Sequence, residues 1–159
     1  WLITRAFNLV NADVVPLPTE YITWFGIGDG GCPIADPLNP TAPTVLDDDL
    51  SNSVMISALD ASYADYRTSP NVGYYKHPLD SVTFEQDGDN YNHWLIANVS
   101  TTIGAPDANG FNLSEAGLFT ASSNSAGYSG PINLYARVTF PTIVKTSLRQ
   151  LQFIWYIYF

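Results

Sequence analysis

The hydrophobic pattern is clearest at the end of the chain. Leu151, Phe153, Trp155, Ile157 and Phe159 alternate with Gln152, Ile154, Tyr156 and Tyr158. A period of two predicts a β-strand. The second face begins polar with Gln150 and Gln152 but continues as Ile154, Tyr156 and Tyr158. A strand apolar on both faces requires a second cover, from another layer of the domain or from another subunit. Residues 133–140 alternate in the same way, with Leu134, Ala136, Val138 and Phe140 on one face and Asn133, Tyr135, Arg137 and Thr139 on the other. Residues 21–27 (Tyr-Ile-Thr-Trp-Phe-Gly-Ile) read as a buried strand, and Leu113 to Phe119 as a short one. Val82 to Glu85 and His93 to Ile103 predict a hairpin around Asp87-Gly88-Asp89-Asn90, a composition suited to positive φ.

The remaining segments punctuate these strands. Leu2, Ile3, Ala6, Phe7, Leu9 and Val10 fall at helical spacing, which predicts a short amphipathic helix over 1–13, ending before Pro16 and Pro18. Residues 32–45 form a connector rich in proline (Pro33, Pro37, Pro40, Pro43), expected to be extended. Asp47-Asp48-Asp49 suits the first turn of a short helix. Residues 54–66 fit strand or helix equally, 67–80 read as loop, and 120–130 as a flexible loop. The sum is a single β-rich domain over 1–159: mainly β, an antiparallel β-sandwich with a short N-terminal helix.

Composition narrows the function classes. The chain is 46% hydrophobic and only 13% charged, which suits a folded globule. Its ten Tyr and four Trp suit both strands and interfaces. Net charge is −9 and the six Lys and Arg are scattered, so neither nucleic acid nor an anionic membrane is an expected partner. The longest apolar stretch, Phe153 to Phe159, is too short to span a bilayer as a helix. Cys32 is the only cysteine, so no disulfide forms within the chain.

Candidate chemistry is sparse. Gly26 to Gly31 matches G-x-G-x-x-G after a strand, but Cys32-Pro33 and further prolines follow where a dinucleotide site needs a helix. Glycines here (Gly28 and Gly30 among them) are expected to serve a tight turn or a close backbone approach. The Asp87 to Asn98 stretch lacks the sixth-position glycine and the terminal glutamate of a calcium loop. His77 and His93 have no metal-ligand spacing, and there is no G-x-S-x-G elbow. Glu115, flanked by apolar residues, reads either as a general acid or as a structural carboxylate held by Arg137 or by backbone N–H groups; the structural reading is preferred. No catalysis, cofactor or metal is expected. A hydrolase would need two or more of Asp29, His77, His93 and Glu115 to converge.

The order of segments resembles a known domain. A leading helix, then Ile22 to Gly31, then Pro40-Thr41-Ala42-Pro43-Thr44 and the acidic turn Asp47 to Leu50, are similar to the N-terminal domain of tail-collar fibre proteins of tailed bacteriophages. Glu115-Ala116-Gly117-Leu118-Phe119 resembles that domain's "EiGLf" strand, and Leu134 to Pro141 with Lys145 resemble its following strand and Pro–Lys turn. Tyr74 to Phe84 and Trp94 to Thr101 look like its middle hairpin. The chain lacks an arginine directly after the acidic turn, and its 120–130 loop is long.

The resemblance implies a virion structural protein at the tail or baseplate, assembled in the host bacterial cytoplasm. It would anchor fibres or neighbouring tail proteins, as a homo-oligomer and specifically a trimer. Ile154, Tyr156, Tyr158, Trp1 and Phe7 are the candidate interface residues; Gly28, Gly30, Glu115, Gly117 and Arg137 form the structural motif. The alternatives are a carbohydrate- or receptor-binding β-sandwich with Trp94, Tyr74 and Tyr75 as its platform, and a neck or head-surface decoration protein.

Overall fold

The computed structural model describes residues 20–44, 46, 50, 55–57, 74–86, 95–125 and 132–159, with the backbone alone for 55–57 and 74–76. Eight strands follow in order: β1 Tyr21–Gly28, β2 Met55–Ser57, β3 Tyr74–Pro78, β4 Ser81–Gln86, β5 Leu95–Ile103, β6 Asn112–Ala121, β7 Asn133–Val144 and β8 Leu151–Tyr158. They form a five-stranded sheet, β2-β3-β1-β6-β7, and a three-stranded sheet, β4-β5-β8. All neighbours are antiparallel except the short β2, which runs parallel to β3. No helix occurs among the described residues, and the helix expected over 1–13, with Trp1 and Phe7, lies outside them. The acidic turn at 47–49 also lies outside them.

The main core lies between the sheets. Phe25 and Ile27 of β1, Val99 and Ile103 of β5, and Leu113, Ala116 and Leu118 of β6 are fully buried there. The rings of Phe25 and Phe153 meet at 4.9 Å, joining the central strand of one sheet to β8 of the other. Each of the larger of these side chains contributes about 1.5–3 kcal/mol by leaving water.

The five-stranded sheet is covered on its other face too. Trp24, Leu50, Phe119 and Ala121 form a second buried cluster, with Ile132 and Leu134 packed against it. This explains the unbroken apolar run of β1, in which all seven residues from Ile22 to Gly28 are buried. Irregularities in register create this layer. One falls between Ile22 and Trp24, and another on β7 beside Leu118 and Phe119. Each inserts a residue next to Phe119, so Trp24, Phe119 and Leu134 turn away from the main core together.

β7 corrects the simple alternation predicted for 133–140. Leu134 packs in the second cluster, whereas Ala136 and Phe140 face the main core. The strand also continues past Pro141 to Val144. Pro141 falls in the irregular stretch between the paired residues Thr139 and Ile143, where a missing N–H costs little. Residues 74–78, expected as loop, are β3 and hydrogen-bond with β1. The 82–85 and 93–103 hairpin is present as β4 and β5, paired from Ser81↔Ser100 to Gln86↔Leu95, and its turn lies outside the described residues. The strand expected at 113–119 extends to Ala121.

The proline-rich segment is folded into turns before it runs along the outer edge of β7. Asp36 N donates to Pro33 O and Asn39 N to Asp36 O. Thr142 N then donates to Pro37 O at 2.8 Å, and Thr139 Oγ1 to Thr41 O at 2.8 Å.

Candidate interaction surface

The outer face of the three-stranded sheet is built by register. Tyr158 lies opposite Ile96, Tyr156 opposite Asn98, Ile154 opposite Ser100, and Gln152 opposite Thr102. The next strand adds Glu85, Thr83 and Ser81. Ser81 and Ser100 share a hydroxyl hydrogen bond of 2.9 Å, Asn98 Nδ2 donates to Glu85 Oε1, and Thr102 N donates to Asp80 Oδ2 at 2.7 Å. These bonds lie on the β4 side and stiffen the polar half of the face. On the β8 side, Ile154, Tyr156 and Tyr158 are 51, 59 and 61% exposed. The structure brings these three together as one apolar stripe on an edge strand.

The five residues of the expected structural motif sit on the opposite side of the molecule, on the outer face of the five-stranded sheet. Gly28 pairs with Glu115, Gly26 with Gly117, and Gly117 with Arg137. Glu115 is fully buried, and its Oε2 accepts from Arg137 Nε at 3.0 Å and Nη2 at 2.7 Å. Its other oxygen accepts from Gly30 N at 3.0 Å. Arg137 therefore neutralises the carboxylate while Gly30 fastens the start of the connector to it. A Cβ on Gly117 would come within 3.1 Å of Leu50 Cδ2, so the glycine makes room for the covering Leu50. Gly31 shows the close approach more sharply: a Cβ there would lie 1.9 Å from Ser114 O. Ser114 Oγ also accepts from Gly31 N and Cys32 N, at 2.9 and 3.2 Å. Among the described residues, Gly110 is the glycine with positive φ.

Glu115 and His77 do not converge. His77 pairs with Phe25, on the core side of the sheet, and its Nδ1–H donates to Pro78 O at 2.6 Å, with Asp80 Oδ1 3.8 Å away. Glu115 faces the other way. His93 lies outside the described residues, as does Trp94, and the side chains of Tyr74 and Tyr75 are not described. A cleft of about 250 Å³ lies where β1 meets the β3–β4 corner, lined by Tyr21, Thr23, Asp80 and Phe84 among others. Of the hydrolase candidates among the described residues, Asp29, His77 and Glu115, none lines it.

Lys145 is assigned by the resemblance only to a turn. It is fully buried, with Nζ donating to Ala105 O at 3.2 Å, Asn109 Oδ1 at 3.3 Å and Thr146 O at 3.1 Å. Burial lowers its pKa, opposed in part by the charge of Asp107. Its backbone also bonds to Gly110 N and Phe111 O. Lys145 thus ties the end of β7 to the 104–110 turn. The sequence signal was weak: one lysine in an apolar neighbourhood, without a carboxylate at fixed spacing.

No family model matches the chain, and no curated protein or solved structure matches it.

Proposed function

We propose that this chain is a non-enzymatic assembly module whose contact surface is the outer face of β8. The observation that carries this reading is the exposed stripe of Ile154, Tyr156 and Tyr158 on a folded sheet. Grouped exposed aromatics on a weakly charged face are what a protein partner covers. The buried Glu115 supports the same reading, because its contacts with Arg137 and Gly30 serve packing.

The setting proposed is the virion of a tailed phage, at the tail or baseplate, where the module anchors fibres or neighbouring tail proteins. That setting rests on the order of segments and motifs in the sequence. The same resemblance makes a homo-oligomer, a trimer, the expected assembly.

Size-exclusion chromatography with light scattering tests the reading on recombinant protein, alone and mixed with tail proteins. Association is expected, and it should weaken when Tyr156 and Tyr158 are both changed to Ser. A well-folded monomer that associates neither with itself nor with tail proteins would sink it.

A further inference from the structure

We propose that the outer backbone edge of β8 pairs antiparallel with the same edge of a second copy of the chain. The two three-stranded sheets would then become one six-stranded sheet, β4-β5-β8-β8-β5-β4. The inference rests on the assembly reading above and names both the partner and the mode of contact. It concerns the backbone edge, whereas the proposed function concerns the side-chain face.

Hydrogen bonding fixes which groups point outward. Phe159 N donates to Leu95 O. The β5–β8 register is unshifted, from Ile96↔Tyr158 to Ile103↔Leu151. In an antiparallel ladder, bonded pairs alternate with unbonded ones. Leu151, Phe153, Trp155 and Ile157 therefore direct their backbone groups at β5. Gln152, Ile154, Tyr156 and Tyr158 direct theirs away from it, and among the described residues no strand pairs with that side.

The two long edges of the sandwich are treated differently. The edge of β7 is covered by the connector, through Thr142 N to Pro37 O and Thr139 Oγ1 to Thr41 O, and it contains Pro141. β8 has neither proline nor charge in Leu-Gln-Phe-Ile-Trp-Tyr-Ile-Tyr. Those are the devices that prevent edges from pairing.

Charge fixes the line along which two copies can meet, and the strand's self-complementarity supplies the occupant. The chain carries −9, so most surfaces of two copies repel. β8 is an uncharged line across that surface, and antiparallel pairing of one strand with itself is self-complementary about a two-fold axis. The sandwich also has room on this side. Five strands face three, and Val138, which shares the core-facing side of β7 with Ala136, is 40% exposed.

One register uses the whole strand. Centred on Trp155, it sets Ile154 opposite the partner's Tyr156 and Gln152 opposite the partner's Tyr158. All four are residues with outward backbone groups, so both sets become hydrogen-bonded pairs. The contact is two-fold, so it joins copies in pairs whatever number the other surfaces set.

Two variants test this on the full chain. Ile154→Pro removes an outward N–H and leaves every bond to β5 in place. Its circular dichroism should match the wild type and its unfolding should stay cooperative, at a melting temperature that no longer depends on protein concentration, while its mass by light scattering falls by half. A folded Ile154→Pro protein with the wild-type mass overturns the edge pairing and leaves face-mediated assembly standing. A wild type that is monomeric or odd-numbered overturns it too; an odd-numbered oligomer leaves the assembly reading intact.

Should Ile154→Pro unfold, cysteine pairing decides. Ile154→Cys and Tyr156→Cys proteins, each with Cys32→Ser, are mixed and oxidised. Directly opposed residues have Cα atoms about 5.5 Å apart, within disulfide range. A cross-linked dimer should form in the mixture and not from either protein alone. No cross-link in the mixture, or equal cross-linking of the separate proteins, overturns the register and the pairing with it.

Discussion

Arg137 donates to Glu115 Oε2 from both Nε and Nη2, at 3.0 and 2.7 Å, on a sheet face covered by the connector and Leu50. The pair is almost wholly removed from water. Removing one partner of a buried pair strands the other charge, at a cost of about 3–5 kcal/mol, whereas replacing both by apolar groups is far milder. Glu115→Ala and Arg137→Ala should each lower unfolding free energy by that order in urea titration. The double change Glu115→Leu with Arg137→Met should lie nearer the wild type than either single. Additive losses would show that the two side chains are not coupled.

Glycines should rank by what their missing Cβ would strike. At Gly31 it is the backbone oxygen of Ser114, 1.9 Å away, which cannot move alone. At Gly117 the nearest atom is Leu134 Cδ1 at 2.9 Å, the end of a flexible side chain. Overpacking typically costs about 1–3 kcal/mol. Gly31→Ala should reach or exceed the top of that range in thermal or chemical denaturation, and Gly117→Ala should stay below it. A reversed order would contradict the close approach of the connector to β6.

Lys145 should leave a mark on alkaline stability. Its folded pKa is lowered by burial, so the folded state binds this proton less tightly than the unfolded one. Stability from this group therefore rises with pH between the lowered folded value and the ordinary value of 10.5, and is constant on either side of that window. Lys145→Met should flatten that rise. It should also cost about 1–3 kcal/mol near neutral pH, since three oxygens lose their donor. Asp107→Asn should lower the lysine's pKa further, by removing the opposing charge. Chemical denaturation between neutral and alkaline pH would detect both effects, and identical pH slopes for wild type and Lys145→Met would refute them.

Tyr156→Ser and Tyr158→Ser should separate folding from association. Both side chains are mostly exposed, so stability should stay within about 0.5 kcal/mol of the wild type. Any self-association measured by sedimentation should weaken. A large loss of stability at concentrations where the wild type is also dissociated would mean that these tyrosines belong to the fold rather than to a contact surface.

The sequence revealed those elements whose pattern depends on one strand alone. β1 was legible as a continuous apolar run, β8 as an alternation with a second apolar face, and the β4–β5 hairpin from its polar turn. Glu115 and Arg137 could be named as partners because a carboxylate among apolar neighbours requires a donor. What stayed hidden depends on pairing. The switch of Leu134 to the opposite face arises from an irregularity against Leu118 and Phe119, which no property of β7 by itself encodes. β3 was concealed because Tyr-Tyr-Lys-His-Pro lacks alternation and ends in proline. The covering role of Leu50 could not be anticipated without knowing that Gly26 and Gly117 stand opposite one another.

β1 is the central strand of the larger sheet and is buried on both sides, yet its neighbours β3 and β6 both come later in the chain. On the ribosome, Ile22 to Gly28 must emerge long before Asn112 to Ala121 exists to shelter them. The nascent polypeptide therefore displays this apolar segment well before its cover exists, which makes synthesis a stage at which chaperones matter.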